Sequence, residues 1–127
     1  FLYSVGMPAQ VAGPSLAALQ VMKEEPERLK RLHDISRYFL QQARLKGFDI
    51  GESIGVAVVP VIVGSSVLAA GLSDALLKDD INVQPILHPA VPEKSARLRF
   101  FLNCDHTREQ IDRTLDMLEI EWKARTA

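Results

Sequence analysis

The stretch Ala96-Arg97-Leu98-Arg99-Phe100-Phe101-Leu102-Asn103 constrains this chain more than any other. Leu98, Phe100 and Leu102 alternate with Arg97, Arg99 and Phe101, and a period of two means a β-strand with one face turned to a core. Such a strand needs sheet partners and a cover for its apolar face. Residues 56–63, VAVVPVIV, supply one partner: a short continuous apolar run, as in strands covered on both faces or at a sheet centre. Pro60 inside that run has no N–H to donate, so it demands a bulge or an edge. Residues 81–87, INVQPIL, read as a shorter strand with its own proline.

The cover comes from helices. Residues 9–25 place Val11, Leu16, Leu19 and Met22 near helical spacing, until Pro26 breaks the pattern. Pro26 also suits the first turn of a second helix, about 27–46, whose apolar stripe is Leu29, Leu32, Ile35, Phe39 and Ala43, with Gly47 as its stop. A third helix follows the Ser65-Ser66 cap and turns Leu68, Leu72, Ala75 and Leu76 inward. A fourth starts at Thr107, with Gln110 completing a capping box, and shows Ile111, Leu115, Leu118 and Trp122 on one face. The order αα–β–α–β–β–α makes an α+β sandwich with helices on one side of a small sheet.

Composition narrows the function classes. The 127 residues include 47% hydrophobic and 24% charged residues, enough for a packed core, and a net charge of −1 lacks the basic surface that nucleic acid requires. The single cysteine, Cys104, has no internal disulfide partner, which suits a reducing cytoplasm. No apolar run reaches bilayer-spanning length. The opening FLYSVGMPAQ has no initiator methionine and reads as a cut from a longer chain.

Few residues carry chemistry on pattern alone. Arg97 and Arg99 fit two readings: a solvated sheet face, or a clamp in which the planar guanidinium fork meets a carboxylate in two parallel bonds. His88 precedes a proline and belongs to an extended loop. Cys104-Asp105-His106 sits at a strand-to-helix turn, where Asp105 and Thr107 serve as caps, and no second ligand cluster at metal spacing accompanies it. Lys23, Lys30, Lys46, Lys78 and Lys123 fall on helices and Lys94 in a loop, none in a pocket suited to imine chemistry. No glycine-rich phosphate loop occurs. Residue pattern therefore yields an anion-binding candidate but no nucleophile or base.

Three stretches go further. FLYSVGMPAQVAGPSLAAL, VVPVIVG and LSDALLKDDINVQPILHPAVPEKSARLRFFLNCDHTREQID, in that order, resemble the C-terminal part of the α-oxoamine synthases, a family of pyridoxal-phosphate enzymes. Its members carry F-I-F-[ST]-x-x-x-P, V-P-V-I-V-G, P-x-V-P-x-G-x-x-R-L-R and a following H-T. The resemblance implies the small C-terminal α+β domain of a fold-type I enzyme, over residues 27–127, with a mixed or antiparallel sheet, preceded by a helical arm over residues 1–26 that joins domains or subunits. It implies a homodimeric parent that condenses an amino acid with an acyl thioester, carried by coenzyme A or a carrier protein, to an α-amino ketone, usually with loss of CO2. By the same resemblance Arg99 holds the substrate carboxylate, His88 lies near the substrate entrance, and Ser4 reaches the cofactor phosphate across the dimer. Arg97 stays a surface residue. The family's cofactor lysine lies upstream of this chain, so no catalytic residue is expected here, and the chain by itself is expected to be inactive. The glycine of the V-P-x-G turn is missing from Pro92-Glu93-Lys94-Ser95. A non-catalytic amino-acid-binding module and a dimerisation module remain as alternatives.

Overall fold

The computed structural model describes residues 6–126. The elements run α1 (Ala9–Glu24), α2 (Glu27–Leu45), β1 (Val58–Ile62), α3 (Ser66–Lys78), β2 (Gln84–Ile86), β3 (Arg97–Phe101) and α4 (Arg108–Thr126), with a 3-10 turn at Glu93–Ser95 before β3. This is the expected order. The sheet is antiparallel throughout, in the order β1-β3-β2, so the alternating arginine strand is central. β1 is an edge strand, not the sheet centre that its continuous apolar run allowed. Its edge position accommodates Pro60: Ile62, two residues on and aimed the same way, donates its N–H outward to the Asp49 carbonyl at 2.7 Å.

One face of the sheet carries the core. Val59, Val61, Leu98 and Phe100 are buried against Phe39, Leu72, Leu115 and Leu118 from the three helices that follow α1. The Phe39 and Phe100 rings pack tilted at 5.0 Å. The stripe of α2 is rotated slightly from the sequence reading. Ile35, Ser36, Phe39, Leu40 and Ala43 are buried, whereas Leu29 is 55% exposed because the helix overhangs the core at its start. On α1 no residue is buried, and Val11, Leu16, Leu19 and Met22 are all exposed.

Local rules set the boundaries. Gly47, at φ +80°, closes α2: its N–H bonds the Arg44 carbonyl, and the Phe48 N–H reaches back to Ala43. α3 ends the same way with an aspartate in place of glycine. Asp80 adopts φ +61°, and the Ile81 N–H bonds the Leu76 carbonyl. That cap takes up Ile81 and shortens β2 from the expected 81–87. Ser65 caps α3 by accepting from the Leu68 N–H, and Thr107 and Gln110 form the expected reciprocal box on α4. Asp105 makes no cap. Asn103 instead accepts from the Asp105 and His106 N–H groups, while the Asn103 N–H donates to His106 Nδ1. No described helix is long and apolar enough to cross a membrane.

Candidate functional site

Alternation along β3 leaves the second sheet face uncovered. The register sets Arg99 level with Pro60 and Gln84, Arg97 level with Ile62 and Ile86, and Phe101 level with Val58. Side chains paired across an antiparallel sheet share a face. This face therefore holds two guanidinium groups among five apolar side chains and one amide, and no carboxylate. Arg99 is exposed and Arg97 half-buried. Two like charges side by side on a sheet repel one another, and an arriving anion relieves that repulsion.

The two arginines are held differently. Arg97 Nε donates to the Ser95 carbonyl at 2.8 Å, which turns the side chain back along its own strand. The Arg99 guanidinium lies over the Phe101 ring, 4.9 Å from its centroid. Among the described residues Arg99 has no hydrogen-bond or ion-pair partner. Its fork is open to a ligand.

The loop into β3 is anchored at the start of α3. Glu93 accepts from the Ser66 N–H at 2.7 Å and from the Ser66 hydroxyl, and the Ser66 oxygen accepts from the His88 N–H at 3.1 Å. The Ser66 hydroxyl first, and its N–H second, hold the Glu93 carboxyl below the usual carboxylate range. A carboxylate at a helix N-terminus also meets the positive end of the helix dipole. The turn needs no glycine, because Lys94 and Ser95 lie outside the positive-φ region.

The structure does not bring His88 to Arg99. Ile86 is level with Arg97, so His88 lies two residues past the last paired row, at the end of the sheet away from Phe101. Its imidazole is exposed and its backbone is the part that is anchored. Ser4 lies outside the described residues. The described residues supply no lysine placed for the pyridoxal phosphate implied by the resemblance: Lys23, Lys30 and Lys94 are exposed, and the other three are held by acids. Lys46 is held by Asp116 at 2.6 Å and Glu119 at 2.7 Å, and those bonds raise its pKa, opposite to what imine formation needs. Lys78 and Lys123 are likewise paired, with Asp74 and Glu119.

Concavities lie elsewhere. One of about 210 Å³, between β3 and the start of α4, is walled in part by Phe101, His106 and Arg113. Two of its polar groups are already engaged: His106 Nδ1 by the Asn103 N–H, and Arg113 by the Asp79 carbonyl at 2.9 Å. Another, of about 300 Å³, is lined by Lys46, Phe48, Ile62 and Trp122. Neither includes Arg99. The ligand candidate is therefore the open sheet face, which is a single wall and not an enclosed pocket.

Sequence reasoning missed two structural groups. Ser36 is fully buried on α2, and its hydroxyl oxygen accepts from the Ala57 N–H at 3.2 Å. Ala57 itself sits at φ +48°. A serine one residue from the apolar stripe was the available signal for the first; nothing in the sequence marks the second.

Comparison with known proteins agrees with the motifs. The pattern of the family described as aminotransferase class I and II matches residues 1–118. An 8-amino-7-oxononanoate synthase of Symbiobacterium thermophilum is 42% identical over 115 residues, covering 91% of this chain and 29% of that protein. Serine palmitoyltransferase of Sphingomonas wittichii superposes with a TM-score of 0.85 at 24% identity, over 98% of this chain and 31% of the other. 8-Amino-7-oxononanoate synthase of Francisella tularensis superposes at 0.83 and 22% identity, over 98% and 36%. At that identity the two superpositions establish a shared fold. The chain spans about three-tenths of the length of the curated relatives it matches. Motifs, fold and relatives agree with the α-oxoamine synthase resemblance, and the chain belongs to the aminotransferase class I and II family.

Proposed function

We propose that this chain is the small C-terminal domain of a pyridoxal-phosphate-dependent acyltransferase, a dimer that joins an amino acid to an acyl thioester and releases an α-amino ketone. In this reading residues 27–127 form the domain and residues 1–26 the arm. α1, with no buried residue, is the surface that the arm offers to the rest of the protein. The observation that carries the reading is the open sheet face, where Arg99 is presented with an unoccupied fork and no acid beside it.

The chain's own part is binding and orientation. Arg99 takes the substrate carboxylate in two parallel bonds, and the central strand fixes where that carboxylate sits. Arg97 adds field to the site, and its Nε bond to the Ser95 carbonyl turns it back along its own strand. Phe101, Val58 and Pro60 keep the face apolar, which strengthens the ion pair once a second wall excludes water. His88, two residues past the last paired row, is the candidate for the substrate entrance once a second wall is present, and Ser4 is the candidate for the cofactor phosphate. Pyridoxal phosphate, when bound, supplies the electron sink for the bond changes at the amino acid's α-carbon. No proton transfer is assigned to a residue of this chain.

The test is Arg99→Ala in the complete protein. It is expected to weaken amino-acid binding by on the order of 2–5 kcal/mol, the usual cost of removing one partner of a desolvated charge pair. The absorbance of the resting cofactor is expected to stay unchanged. Normal amino-acid affinity in a calorimetric titration of the variant sinks the assignment of Arg99.

A further inference from the structure

Phe101 is the one large apolar side chain of β3 that the core does not use. It is 54% exposed, although its neighbours Phe100 and Leu102 are buried. Burial does not account for an aromatic ring there. Its contact with Arg99 does, since the guanidinium carbon stands 4.9 Å from the ring centroid.

We propose that Phe101 is the positioning residue of the anion site, holding the Arg99 guanidinium by its flat face so that the donor edge points at the ligand. The proposal rests on the reading of Arg99 as a carboxylate anchor. An arginine must be oriented before it can act as an anchor. A free guanidinium on a flexible stem loses rotamer freedom on binding, and that loss weakens the ion pair. An acidic neighbour would hold the group still, but it would occupy N–H donors and neutralise the charge. Arg125 with Glu121 and Arg28 with Glu25 are held in that way. An aromatic face attracts the cation through its quadrupole and takes up no N–H group. Arg99 is thus oriented and still has its fork free.

The neighbours make the contact selective. Level with Arg99 are Pro60, which has no polar side chain, and Gln84, which carries no charge. Level with Phe101 is Val58, which buttresses the ring from β1. Arg97, the same strand's other outward arginine, has no ring contact among the described residues and is instead tied to the Ser95 carbonyl. One arginine is therefore set for a ligand and the other is set by its own backbone.

The experiment measures binding of glycine, L-alanine and L-serine to the complete protein by calorimetry, following the tightest of the three, alongside steady-state kinetics. Phe101→Leu is expected to weaken binding by about two- to fivefold, the range for an exposed cation–π contact, and to raise KM with kcat unchanged. Phe101→Tyr, which keeps the ring face, is expected to restore wild-type affinity. Mono-, di- and trifluorinated phenylalanine at position 101 are expected to weaken binding in that order, because fluorine drains the ring's negative face while hardly altering its shape. A purely structural ring would give a flat series. A flat series, or equal losses in Phe101→Leu and Phe101→Tyr, overturns the proposal. If Arg99→Ala weakens binding while the series is flat, only the role of Phe101 falls; if Arg99→Ala changes nothing, the anchor reading falls and this proposal with it.

Discussion

The two faces of β3 share a backbone and answer to different physics. On one, Leu98 and Phe100 are closed in by three helices, and each side chain's shape is set by its neighbours. On the other, Arg99 and Phe101 are exposed, and the guanidinium lies over the ring. The covered face determines that this strand exists; the open face carries its proposed function. Stability and recognition can therefore be altered one at a time, by steps of a single residue along the sequence.

The largest effect is expected at Leu98. Leu98→Ala empties a fully buried site in the middle of the sheet and is expected to cost about 2–5 kcal/mol of unfolding free energy, read by urea titration. Arg99→Ala, one residue away, is expected to change stability by no more than about 0.5 kcal/mol, as other exposed substitutions do. Comparable losses in the two variants would mean that the open face belongs to the core, and the contrast would fail.

A smaller break is expected at Ser36, among the described residues the one polar side chain that is fully buried. Ser36→Ala leaves the Ala57 N–H without its acceptor, at a cost of about 1–3 kcal/mol. The same change loosens the loop of residues 51–57 at its Ala57 end, while Gly55 keeps its packing on α2, where a Cβ would stand 3.3 Å from the Ser36 carbonyl. Faster amide exchange at Ala57, with Leu98 still protected, is the expected pattern. Unchanged exchange at Ala57 would remove the hydroxyl from the account of that loop.

How much of this the sequence discloses depends on range. Period and caps are local, so the element order, the Thr107–Gln110 box, the Gly47 stop and the alternation of β3 are all legible. The sheet order is not, because a continuous apolar run fits an edge strand with one covered face as well as a centre strand with two; β1 is the edge. Asp80 hides a helix stop because aspartate adopts positive φ less readily than glycine. The candidate anion site is half legible. Arg97 and Arg99 are visibly on one side, but only three-dimensional contacts separate them, Arg97 to a carbonyl and Arg99 to a ring. His88 is separated from them by register, which adjacent letters do not convey.

The smallest expected effect lies where the covered layer is held by charge and not by packing. Lys46, at the end of α2, bonds Asp116 and Glu119 of α4, and Glu119 also bonds Lys123. Lys123 first and Lys46 second hold the Glu119 carboxyl down to about 2, against an ordinary value of 4.5. A carboxyl whose folded pKa is depressed stabilises the fold above its unfolded pKa and loses that contribution as pH falls through the folded one. The window is therefore from 4.5 down to about 2. Lys46 is shifted the other way, upward from 10.5, so its contribution is present below that value and is lost only as alkali deprotonates it. Glu119→Gln is expected to flatten the fall of Tm across the acid window, while the alkaline limb is kept in part by Asp116. Added salt is expected to shrink the difference between the proteins, because the network is open to solvent. Leu98→Ala, by contrast, is expected to lower Tm by the same amount at every pH, since no proton is linked to a cavity. Parallel acid limbs for wild type and Glu119→Gln would show that packing, and not these ions, closes the α2–α4 end.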